Sequence, residues 1–96
     1  MIRKLKIAGI PYKIKYFRGS AIAPDDGQEC CAYVDDTTRE AGFTRGQPPQ
    51  ALLSDMIHEA LHAYYPHWSE KRIAELERYF KQFLADNKLI DWERLK

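Results

Sequence analysis

Between residues 2 and 18 apolar and basic side chains alternate. Leu5 and Ile7 oppose Lys4 and Lys6, and Tyr12, Ile14 and Tyr16 oppose Lys13 and Lys15. A period of two, interrupted by Gly9, Ile10 and Pro11, predicts two strands joined by a turn, a β-hairpin. Residues 19–29 are turn-rich and acidic and predict a surface loop. Residues 30–34 predict a third strand, residues 35–38 a turn, and residues 39–44 a short fourth strand that Gly42 weakens.

After the loop at residues 45–49 the period changes. Leu53, Met56, Ile57, Ala60, Leu61 and Tyr64 recur at helical spacing and make one apolar face over residues 51–65. Pro66 cannot continue that helix and biases Tyr65 towards extended backbone. Ser69 is a good N-cap with Glu70 in the first turn, so a second helix runs from there to Asn87. Its apolar face is Ile73, Leu76, Phe80, Phe83 and Leu84. The short connection makes the two helices neighbours in space. The tail around Leu89, Ile90 and Trp92 tucks one or two side chains back onto the domain. The expected fold is α+β: a small antiparallel or mixed sheet of about three to four strands, followed by two helices.

Bulk properties narrow this picture. The 96 residues suit one domain over 1–96 with a single core. No apolar run approaches the ~18 residues of a membrane span, so no membrane partner is expected. A net charge of +1 gives no general drive towards nucleic acid. The hairpin segment alone carries six basic residues and no acidic one. It reads as a lysine-studded solvent face that discourages edge pairing, with a nucleic-acid-binding ribbon as the weaker reading. Residues 1–6 contain no apolar signal region. Cys30 and Cys31 are adjacent, which does not make a loop-closing disulfide, so a cytoplasmic protein is expected. The pair reads as small apolar filler in a strand, ahead of zinc ligation or a vicinal disulfide.

The chemistry concentrates in the first helix, where residues 58–62 spell His-Glu-x-x-His. The chain's three histidines, His58, His62 and His67, fall within ten consecutive positions. His58 and His62 lie one above the other on a helix, so both rings can reach one tetrahedral cation at about 2.0–2.1 Å. Glu59 flanks them and can take a proton from water that the cation activates. All three sit more than ~120° from the centre of the apolar face, so a second element must cover them. The bland alternative is a polar helix face that spells the motif by accident.

A catalytic zinc takes three protein ligands and leaves one position open. Downstream of His62 the candidates are His67, Glu70, Glu75 and Glu77. Glu77 lies roughly 70° from the apolar centre of the second helix, Glu70 roughly 90° and Glu75 roughly 130°. A carboxylate at the margin of a buried surface is costly unless it meets a cation, which selects Glu77 with Glu70 in reserve. His67 and Tyr65 are candidates to stabilise charge on a substrate carbonyl. Tyr64 reads as core.

The run at residues 53–66, continuing through 69–77, resembles the small zincin-type metallopeptidases found in bacteriophages and their bacterial hosts. Residues 33–40 are similar to the segment that precedes the active helix in that family. The likeness covers roughly residues 30–85. It implies zinc held by His58 and His62, and Glu59 as general base and acid. It also implies that residues 39–44 form the cleft edge along which a peptide or protein substrate adds as a strand. Tyr65 and Trp68 stand where metzincins need Gly and a third His, which excludes that branch. The expected function is a zinc-dependent peptidase. The alternative is a binding module on the same fold that engages a protein or nucleic acid through the basic hairpin, with little or no catalysis. Neither reading fixes an oligomeric state.

Overall fold

A computed structural model describes residues 2–22 and 27–96. A four-stranded mixed sheet is followed by two helices, the expected α+β arrangement. The strands are β1 (Lys4–Ile7), β2 (Ile10–Phe17), β3 (Ala21–Ile22), β4 (Glu29–Cys30), β5 (Ala32–Asp35) and β6 (Glu40–Thr44). The helices are α1 (Pro49–Tyr64) and α2 (Glu70–Asp86), with a closing 3-10 turn at Trp92–Leu95. Sheet order is β1-β2-β6-β5, with β2 and β6 parallel and the outer pairs antiparallel.

The hairpin turns tighter than its Gly and Pro suggest. Ile7 pairs with Ile10 across Ala8 and Gly9, both at positive φ (54° and 77°), as a two-residue hairpin of matching twist requires. The Ala8 N–H donates to the Tyr64 hydroxyl at 2.8 Å, which ties the turn to the end of α1. Tyr64 is thus a half-exposed brace rather than a core residue. Part of the expected loop at 19–29 is ordered, because Ala21 pairs with Cys30 and Ile22 with Glu29; the expectation for residues 23–26 lies outside the described residues. The expected third strand breaks at a bend on Cys31 into β4 and β5.

One face of the sheet is the core. Ile7, Tyr12, Ala41 and Phe43 meet Leu52 and Met56 of α1 and Leu95 of the closing turn. The other face is open. It carries Lys4, Lys6, Lys13 and Lys15 on β1 and β2, and a stacked Phe17–Tyr33 pair across β2 and β5. Gly42 belongs to this face: Tyr33 lies over it, and a methyl group there would overlap the ring. The ring cannot move aside easily, since its hydroxyl donates to Glu40 at 2.7 Å and it stacks on Phe17. Gly42→Ala is therefore expected to cost about 1–3 kcal/mol in denaturant unfolding, and Tyr33→Ala in the same chain to recover part of it.

Burial, then the Glu40 hydrogen bond, push the Tyr33 phenol up to about 12. A raised phenol favours the folded state fully below the unfolded value near pH 10 and loses that contribution as pH rises through about 12. Phenolate absorbance should show one late-titrating group that Tyr33→Phe removes.

The helices differ from their expected faces. Leu52 and Met56 of α1 belong to the sheet core with Leu53, Ala60 and Ala63 packed against it, and Leu61 is also buried. The stripe of Leu52 and Met56 is turned roughly 60° from the one centred on Leu53 and Tyr64. The rotation brings Glu59 towards the sheet and leaves Leu61 and His58 towards α2. On α2 only Ile73 is buried, while Phe80 and Phe83 are 51% and 59% exposed. The side of α1 that α2 covers carries Ser54, His58 and His62 beside the buried Leu61, so α2 presents polar groups as well as Ile73 to it. Glu77 meets His58, and Lys81 Nζ donates to Ser54 Oγ at 2.8 Å.

Candidate metal centre

The helices that carry the site are set by local chemistry. Pro49 occupies the first position of α1, where its missing N–H costs nothing. Ser69 caps α2 as expected, its hydroxyl accepting from the Arg72 N–H at 3.2 Å. Between the helices, Tyr65 stacks on Trp68 at 3.9 Å between ring centres, and the Arg72 guanidinium lies 4.1 Å over Trp68. This stack stiffens the turn that delivers Glu70.

His58 and His62 turn their Nε2 atoms towards each other, 3.2 Å apart. Glu70 closes the third side, with Oε2 at 3.0 Å from His58 Nε2 and Oε1 at 2.6 Å from His62 Nε2. In a tetrahedral site with 2.0–2.1 Å bonds, neighbouring ligand atoms stand roughly 3.3–3.4 Å apart. Two imidazole nitrogens and one carboxylate at these separations fit such an ion, with the solvent-facing side left open. The carboxylate that joins both rings is Glu70, not Glu77.

Glu77 has a different place. Its Oε1 lies 3.0 Å from His58 Nδ1, on the ring edge away from Glu70. From there it can accept from an Nδ1–H, the tautomer that would leave the Nε2 lone pair facing His62 and Glu70. Burial alone would lower the His58 pKa; hydrogen bonds that its ring donates to Glu77 and Glu70 outweigh it and raise the value above the ordinary range. Asp55, one turn before the motif, has its carboxyl raised, first by burial and also by Glu77, against a hydrogen bond from Gln47.

Glu59 lines a cleft of about 410 Å³ together with His62, Glu70, Pro66 and residues Ala32, Tyr33 and Val34 of β5. The strand beside the motif is thus β5. The expected cleft strand, residues 39–44, is β6, which lies inside the sheet between β2 and β5 with Ala41 and Phe43 fully buried. The cause is register: Cys31 accepts from Thr44, so Tyr33 and Asp35 make the bonded pairs with β6. Ala32 and Val34 therefore point their N–H and C=O groups out of the sheet edge, and no strand among the described residues pairs with them. Sequence reasoning missed this edge, because only the pairing across the sheet reveals it.

The remaining candidates stand apart. His67 is exposed in the turn and outside the three-residue group. Tyr65 is committed to the stack on Trp68. Cys30 and Cys31 form no disulfide, and Cys30 stands at the cleft lining. No helix among the described residues is long and apolar enough to cross a membrane. Comparisons with protein-family models, curated proteins and solved structures return no match.

Proposed function

We propose that this chain is a zinc-dependent hydrolase of peptide bonds, with the ion held by His58, His62 and Glu70. The observation that carries the reading is the convergence of two imidazole Nε2 atoms and one carboxylate beside a cleft that contains Glu59. Zinc in such a site supplies a Lewis acid that polarises a carbonyl and makes water more acidic.

The chain's own groups supply the rest. Glu59 takes the proton from the attacking water and returns it to the leaving amine, and no other cleft carboxylate sits next to a motif histidine in sequence. Glu77 keeps the His58 ring oriented. The outward amides of Ala32 and Val34 give an extended substrate two residues of backbone pairing over the motif, which fixes the scissile bond without reading its side chains.

Protein purified without added metal or a His-tag is expected to carry about one zinc per chain by elemental analysis. Chelation should remove both the zinc and the hydrolysis of a quenched-fluorescent peptide library, and zinc should restore both. Hydrolysis that persists in metal-stripped protein would refute the reading.

A further inference from the structure

The opposite edge of the sheet is also unpaired, and its surroundings differ from those of β5. Backbone bonding fixes which groups of β1 face outwards. The Ile14 N–H donates to Arg3 at 3.0 Å, whereas the Lys13 N–H donates away from β1, to Arg39 at 2.9 Å. The bonded pairs of the hairpin therefore fall on Arg3, Leu5 and Ile7. The N–H and C=O groups of Lys4 and Lys6 point out of the sheet, four backbone groups with no strand beside them among the described residues. Pro11 sits opposite Lys6, in a non-bonded position where its missing N–H breaks no bond to β1.

Along that edge runs an open groove of about 590 Å³. Its floor is apolar, from Leu5 of β1, Leu53 of α1, Leu84 of α2 and Leu89, Ile90 and Leu95 of the C-terminal segment. Its charged groups are Lys4, Lys6 and Arg94 against the single acid Asp91. Leu89 is 61% exposed, so the floor is only partly covered by the protein itself.

We propose that the free edge of β1 and this groove form a docking site for an extended peptide segment that alternates acidic and apolar residues. A strand added to β1 presents successive side chains to opposite sides. One set falls beside Lys4 and Lys6 on the open face, where acidic residues neutralise two lysines that take part in no ion pair among the described residues. The other set falls over the groove floor, where apolar residues leave water. Charge decides against a second copy of this chain: edge-to-edge pairing of two β1 strands sets lysines against lysines, and like charges opposed on a sheet are destabilising. The site is three strand spacings, about 14 Å, from the cleft at β5, so it stands whether or not the metal centre is catalytic.

The test uses the intact wild-type chain and a synthetic peptide of about seven residues alternating Glu and Val. Amide shifts in heteronuclear NMR spectra are expected at residues 2–7, with methyl shifts at Leu53, Leu84, Leu89 and Leu95. Three controls follow. N-methylating the peptide at every residue, so that neither of its edges can pair with β1, should abolish binding. A peptide alternating Lys and Val should not bind. The Lys4→Glu/Lys6→Glu protein, checked for an otherwise unchanged spectrum, should bind the Glu–Val peptide at least tenfold more weakly. Equal binding of N-methylated and parent peptides would overturn the proposal, as would shifts confined to β5. An oligothymidylate that shifts the same lysines and displaces the peptide would mark the edge as a polyanion patch and overturn it too.

Discussion

Glu59→Gln protein is expected to bind zinc as the parent does and to hydrolyse peptides about 10²–10⁴-fold more slowly, the usual contribution of a positioned acid–base group. The substitution keeps shape and removes only the basic oxygen. Glu59 is not among the three groups that converge on the centre, so metal content should not fall. Both quantities must be measured on one preparation: zinc by elemental analysis and kcat on a quenched peptide. Parent-like turnover in Glu59→Gln would strip the residue of its role and leave the metal reading standing. Loss of zinc would place Glu59 in the ligand set.

The second large effect separates the two carboxylates of α2. Glu70→Gln should weaken zinc binding by more than the ~10–100-fold that supporting residues behind a ligand cost, and Glu77→Gln should fall within that range. Glu70 touches both imidazole Nε2 atoms, at 3.0 and 2.6 Å, whereas Glu77 touches only His58 Nδ1. Competition with a chromogenic chelator reads both constants. The reverse order of effects would hand the third ligand position to Glu77.

The sequence made some of this visible and hid the rest for identifiable reasons. The His58–Glu59–His62 face needed only helical spacing, and the hairpin only alternation. Choosing between Glu70 and Glu77 depended on how far α2 turns about its axis. The apolar stripe was a poor guide to that turn, because His58 and Ser54 of α1 meet Glu77 and Lys81 while Phe80 and Phe83 stay in solvent. Leu52 and Leu53 are the same residue type, so periodicity alone could not say which one meets the sheet; the structure buries Leu52. The cleft strand was misplaced because strand order is a property of long-range pairing. The stretch nearest in sequence to α1 became the interior strand β6, and the edge fell to β5.

The way α2 is attached has a consequence for how the molecule comes apart. The helix sinks one residue, Ile73, fully into the interior, and polar pairs from Glu70, Glu77 and Lys81 make up much of the rest of its seam with α1. Such a seam is expected to open before the sheet core does, with amide exchange in α2 losing protection ahead of β2 and β6. A cation bridging the two helices would act as the clasp. Chains without it would display a loosened α2, the kind of local opening at which proteolysis begins.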